Sequence, residues 1–519
     1  MIAKPLEQIE NIDELLGYVL GSTATGQAWA LSLTDNQRVR NVTVSDSDAS
    51  GGAEVKVTAA FATDAGNNTN WSFGSERNIV EWIAGSGSWA TAANWSTGEV
   101  PGENDDVYIA PTSTTATVTV GAAVNVRSLT IGGTDANVTL SSAYPVSISG
   151  DLVLWSGATA TLSSKNTPNT VGGNVWMKSG STMNHAANAK TFAYRLYMTV
   201  AGDMTIDSGA SIYLTYCGFE PKYGPVDNTK NNADENHGGS HGSAMSWNGT
   251  FMPCNDSIFE PVLPGSGGAR QGAGAVYLDV VGDLTVNGAI DARSHRTTGD
   301  KASYSPGAGG SILVKVGTLK GTGLLTAATA TRRSVSGARK AGAGRIAIYQ
   351  RTGTDWTPSA SLTITTQNND NDNTHGGTIY KELPGDGHRG GTIYIQGRQY
   401  ELANYGVGYF QFPMAADGDP RRAYKNATLV ISDLANIFFI TNETFTGESA
   451  TLKVKDIIFT SSAPKINFYG AKILVMTTAH KDGAGWTGGD YASRSSKFTN
   501  RGTRGGIEWY KPCMIIHVR

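Results

Sequence analysis

A short phrase recurs along this chain and restricts it to few folds. It reads GDLVLWSGATATL from Gly150, GNVWMKSGSTMNH from Gly173 and GDMTIDSGASIYL from Gly202. It returns shortened as GDLTVNGAIDA from Gly282 and GTLKGTGLLTA from Gly317. Each copy holds a turn, a short strand with alternating apolar positions, a second glycine-marked turn and another strand. Such a unit cannot bury its apolar side alone, whereas stacking successive units buries one continuous core. The expected fold is therefore all-β, a right-handed parallel β-helix with a small N-terminal β segment and a long loop insertion. Period-2 alternation puts Leu152, Leu154, Val175, Met177, Met204, Ile206, Ile212 and Leu214 inside, with Thr, Ser, Asp and Lys outside.

Three stretches follow. Residues 1–83 read as a β segment, the end of a preceding module, with one helix candidate in IDELLGYVL (12–20). Residues 84–354 read as the β-helix, interrupted at 215–275 by a polar, glycine-rich insertion too long for a solenoid turn. Residues 355–519 read as further coils or an appended β domain, cut short at the C-terminus. There HGGTIY from His375 and RGGTIY from Arg389 repeat each other. The acids in MIAKPLEQIENIDELLGYVL do not suit a signal peptide, so the chain is expected to be a piece of a longer protein or to leave the cell by another route.

Glycine accounts for 64 of 519 residues, and 39% hydrophobic residues set the chain apart from disordered sequences. A net charge of −3 gives no electrostatic reason to expect nucleic acid or an anionic membrane as partner. No apolar stretch approaches the roughly 20 residues that span a bilayer. Three cysteines exclude a disulfide framework and show no zinc spacing. Cys217 and Cys254 flank the insertion and are either bridged or free.

The segment after residue 88 is more specific. Trp89 is followed by Asn94-Trp95-Ser96, Gly98, Pro101, Asp105-Asp106-Val107 and Ile109. This W…NWSxGxxPxxxDDVxI pattern resembles the opening of glycine-rich β-helix regions in large bacterial surface and autotransporter-like, adhesin-like proteins. The resemblance covers roughly residues 82–350. It implies that the tryptophans cover the first coil, that the aspartates close a turn and that the protein is displayed outside the cell.

Candidates for chemistry are sparse. Asp234, Glu235, His237 and His241 crowd the insertion, where catalysis or metal ligation would need them to converge. Gly238-Gly-Ser-His-Gly242 fits GxSxG but lacks the strand before and the helix after that a nucleophile elbow requires. The plainer reading is a glycine-rich loop whose polar side chains bond nearby backbone. Asp151, Asp203 and Asp283 occupy one place in the phrase, which favours a turn role over paired-acid chemistry. Arg270, Arg293, His295 and Arg296 are close in sequence only. Asp370 and Asp372 lie in an oxygen-rich stretch that calcium could use, although the EF-hand pattern fails. Trp155, Trp176 and Tyr213 are the candidates for stacking sugars.

These readings lead to an extracellular or cell-surface structural protein, adhesin-like, whose walls meet polysaccharide or cell-surface glycans. Two other readings stay open: a polysaccharide lyase or glycoside hydrolase beside the insertion, and a phage tail-spike or fibre component. Fold alone does not separate them.

Overall fold

The structure is a computed structural model. It describes residues 18–459 apart from breaks, the longest at 33–37, 226–237, 295–305, 330–340, 354–360, 368–375, 396–400, 432–436 and 440–450. Beyond residue 459 it describes only the strands Ile466–Phe468, Lys472–Val475, Phe498–Asn500 and Gly506–Trp509.

Among the described residues, three long sheets form the walls of a parallel β-helix. The first has eight strands, the second nine and the third eleven. Each coil visits them in turn. The coil that contains the first copy of the phrase runs Leu152–Leu154, Ala158–Leu162 and Asn169–Val171. The next runs Val175–Met177, Thr182–Asn184 and Leu196–Val200. Strands stack in parallel, so Leu152 lies beside Val175, Val175 beside Met204 and Met204 beside Leu284. All eight residues expected inside are no more than 1% exposed. Each such side chain contributes about 1.5–3 kcal/mol by leaving water.

The turns follow from the residues the phrase supplies. Gly157, Gly180 and Gly209, at the second turn, have φ of 77°, 83° and 84°. That left-handed region strains a side-chain-bearing residue. At the first turn, side chains bond to the backbone of the next coil. Asp151 Oδ1 accepts from Asn174 N–H at 2.9 Å, Asn174 Oδ1 from Asp203 N–H at 2.8 Å and Asp203 Oδ1 from Asp283 N–H at 2.8 Å. Asp283 accepts from Thr318 Oγ1 at 2.5 Å and pairs with Lys320. These aspartates are a structural ladder.

The stack begins at a tryptophan knot. Trp82, Trp89 and Trp95 are at most 2% exposed and belong to the main core. Trp95 stands edge-on to Trp82 at 4.9 Å and to Trp89 at 4.8 Å, and its Nε1 donates to the Trp89 carbonyl at 2.8 Å. Asp105 closes a turn by accepting the Gly102 N–H at 2.7 Å. Asp106 instead turns to the next coil, where it holds Arg127 through Nε and Nη2 and accepts from Ser128 Oγ at 2.6 Å.

The N-terminal end departs from the helix expectation, and the C-terminal end continues as coils whose strand sense reverses. Tyr18–Leu20, in the helix candidate, is a strand paired with Val42–Val44; residues 12–17 of that candidate lie outside the described residues. Three small parallel sheets between Tyr18 and Gly74 repeat the same strand stacking. At the other end the two similar phrases form a hairpin. Thr378–Glu382 pairs antiparallel with Thr392–Ile395, which then pairs in parallel with Thr428–Ile431, and that strand with Asp456–Phe459. From the hairpin onward the third wall runs in the opposite strand sense. Further parallel sets, 437–439 with 466–468 and 498–500, and 451–454 with 472–475 and 506–509, complete coils of that reversed sense.

Candidate functional site

The insertion folds onto the outside of the third wall. Outward positions Leu313, Ala347 and Tyr380 are buried there in a second core with Ile258, Phe259, Phe412 and Tyr424. Phe259 stands edge-on to Tyr380 at 4.9 Å and stacks on Tyr424 at 5.4 Å. Asp417 ties the two covering segments together by accepting from Ser257 Oγ, from Ile258 N–H at 3.0 Å and from Tyr424 OH at 2.8 Å.

His241 lies beneath this layer and is fully buried. Its Nδ1 is 2.6 Å from Asn255 Oδ1 and its Nε2 is 2.8 Å from Ser311 Oγ, which donates to Asp256 Oδ2 at 2.9 Å. Asp256 also accepts the N–H groups of Ser257, Val262 and Leu263. Arg345, fully buried, reaches the Asn255 carbonyl at 3.1 Å and Thr378 Oγ1 at 2.9 Å. Burial and the Arg345 charge push the His241 pKa down to about 3, and burial pushes Asp256 up to about 6. Histidine, serine and aspartate in sequence look like a relay, but nothing can reach the hydroxyl. Ser311, Arg345 and Thr378 are neighbours on successive strands. The network therefore pegs the insertion to the wall.

The remaining candidates separate. Asp234, Glu235, His237, Asp370, Asp372, His295 and Arg296 lie outside the described residues. Arg293 is held by Asp291 at 2.5–3.0 Å. Among the described residues, no group of three or more His, Cys, Asp or Glu could hold a metal ion. Cys217 and Cys254 are buried and not bridged to each other, and burial pushes Cys217 up to about 11. Trp176 lies on the first wall, Trp155 in the turn that follows that wall, and Tyr213 on the second wall. They share no ladder.

A ladder does exist on the third wall, where the covering layer ends. Tyr197 and Tyr277 are register partners, stacked at 4.5 Å and 8°. Arg195 lies over both rings, 4.9 Å from Tyr197 and 5.8 Å from Tyr277. Lys315 lies 5.5 Å from the Tyr277 ring and 5.4 Å from that of Tyr349. All five side chains are half-buried. The spacing of the Tyr197 and Tyr277 rings matches the strand spacing of roughly 4.8 Å, so the coil itself sets this stacked pair. Tyr197 and Tyr277 share one register column, while Lys315 and Tyr349 stand in the adjoining one beside Asp279. Lys315 is held by Glu260, and the Tyr349 OH donates to the Phe259 carbonyl at 2.8 Å. The rings and cations thus form a band two columns wide that offers stacking. The sequence gives a weak signal for it: tyrosine at alternate outward places in RLYMTV and AVYLDV.

No family model, curated protein or solved structure matches the chain. Among the described residues, no helix is long and apolar enough to cross a membrane.

Proposed function

We propose that this protein is a structural, adhesin-like rod, extracellular or displayed at a cell surface, that binds polysaccharide along its third wall. The observation that carries this reading is the Arg195–Tyr197–Tyr277–Lys315–Tyr349 band. It is rigid because its tyrosines and Lys315 stand on strands paired with their neighbours and Arg195 is bridged to Ser164. It is extended, which suits a chain-like ligand. The buried polar network beneath the insertion serves the architecture and leaves the exposed wall as the surface that meets a partner.

Affinity electrophoresis of the whole chain through gels containing soluble polysaccharides tests the proposal. Retardation is expected in at least one polysaccharide. Tyr277→Ala should weaken it about tenfold, the loss of one stacking contact worth about 1.4 kcal/mol. Ser211→Ala, on the second wall, should leave it unchanged. Equal retardation of wild type and Tyr277→Ala would overturn the assignment of the ladder.

A further inference from the structure

From Leu152 to Gly202 the sequence contains no Asp or Glu, although 44 acids among 519 residues would place roughly four in a stretch this long. The same stretch holds Lys165, Lys178, Lys190 and Arg195. Three of these gather where the second wall turns into the third. Ser164 and Arg195 form a backbone bridge, N to O at 3.0 and 2.7 Å, which brings Lys165 beside the head of the tyrosine ladder. Lys165 Nζ lies 5.0 Å from the Phe192 ring centroid. Lys190 Nζ lies 5.2 Å from the Tyr223 ring, whose loop is held by the Glu220 N–H bond to the Ala189 carbonyl at 3.2 Å.

The charges here differ from those elsewhere on the wall. Lys315 is neutralised by Glu260 at 2.8 Å, and Arg351 by Asp279. Among the described residues, no carboxylate lies in ion-pair range of Lys165, Lys190 or Arg195; each rests on a ring. Arg195 Nε is buried and has no acceptor. A surface that keeps cations unpaired and removes acids across two coils favours anions over neutral ligands.

We infer that the ligand of the third wall is an acidic polysaccharide, whose carboxylate or sulfate groups pair with Lys165, Lys190 and Arg195 while its sugar faces stack on the adjoining rings. This rests on the wall-binding reading above and names its ligand class. Nucleic acid fits less well. Its charge repeats at about 1.7 Å along the duplex and calls for a dense basic surface, whereas this chain carries a net charge of −3. A glycan bearing one charge per sugar, or fewer, matches three cations spread among rings.

The experiment measures binding of the whole chain to four immobilised polymers at low salt: polygalacturonate, dextran sulfate, neutral dextran and duplex DNA. Wild type and the double variant Lys165→Gln, Lys190→Gln are compared, with circular dichroism confirming that both are folded. The altered side chains are surface lysines, so the fold should survive. Binding to one or both acidic polysaccharides should exceed that to dextran. It should fall about tenfold or more in the double variant and weaken with added salt. Polygalacturonate against dextran sulfate identifies the anion. Equal binding to dextran, unchanged in the double variant, would overturn the acidic ligand and leave wall binding standing. Tighter binding to DNA than to either acidic glycan would overturn the glycan. Binding to none of the polymers would overturn both this inference and the reading on which it rests.

Discussion

Gly344→Ala should lower the stability of the chain by about 3 kcal/mol or more, the upper end of overpacking costs. Gly274, Gly310, Gly344 and Gly377 form a column at the entry to the third wall, one glycine in each of GAGAV, GAGGS, GAGRI and HGGTI. A Cβ on Gly344 would overlap the Gly310 carbonyl oxygen and lie 2.9 Å from the carbonyl carbons of Gly309 and Gly310. Backbone sits on the other side too, since a Cβ on Gly377 would overlap the Gly344 carbonyl oxygen. The coil cannot give way without parting the Arg345 N–H bond to Gly310 O at 3.0 Å. That bond holds the strand carrying the buried network. Gly121→Ala is the control, because a Cβ there meets nothing within 4 Å; it should shift stability by no more than about 0.5 kcal/mol. Urea unfolding followed by tryptophan fluorescence measures both. Similar midpoints for the two variants would show that the column tolerates side chains.

Acidification should destabilise the fold between pH 6.5 and 4, with a slope of about 1.4 kcal/mol per pH unit, one net proton taken up on unfolding. Two buried histidines drive this. Burial pushes His185 down to about 4, and burial with the Arg345 charge pushes His241 down to about 3, from an ordinary 6.5. The Nδ1 of His185 is 2.8 Å from the Ala186 carbonyl and its Nε2 accepts from Ala275 N–H at 3.0 Å, so a second ring proton would face a donor. A lowered folded pKa gives stability that is present above 6.5 and lost as pH falls toward the folded values. Asp256 works the other way. Burial raises it from 3.8 to about 6, so the folded state takes up its proton first and recovers stability as pH falls below 6. Two histidine protons against one aspartate proton leave a net of about one. The urea midpoint as a function of pH reads this slope. Asp256→Asn removes the opposing proton and should steepen it to about twice the wild-type value. A flat profile in wild type would contradict the placement of both histidines.

Local repetition made much of the fold legible. The phrase carries its own turns, and alternation assigned Leu152, Val175 and Met204 to one column because neighbouring first-wall strands are separated by a single coil. The same spacing identified Asp151, Asp203 and Asp283 as turn residues. The tyrosine ladder was hidden for a related reason. Tyr197 and Tyr277 stack across the whole insertion, so no local period links them, and the recurring phrase covers only the first two walls. His241 looked available because its neighbours are glycine and serine; whether such a loop faces water depends on what packs over it.

The linear order of residues thus determined the rung, its inward columns and the glycine positions where backbones touch, since each follows from steric and apolar periodicity within one coil. Three-dimensional packing decided the rest. HGGTIY and RGGTIY are alike in sequence yet pair antiparallel, because residues 383–391 turn the chain back on itself and reverse the strand sense of the wall. The insertion became a cover because Leu313, Ala347 and Tyr380 gave it an apolar surface to bury. The cover packs against Tyr277 and Tyr349 and reaches Lys315 through Glu260, but it stops one strand short of Tyr197.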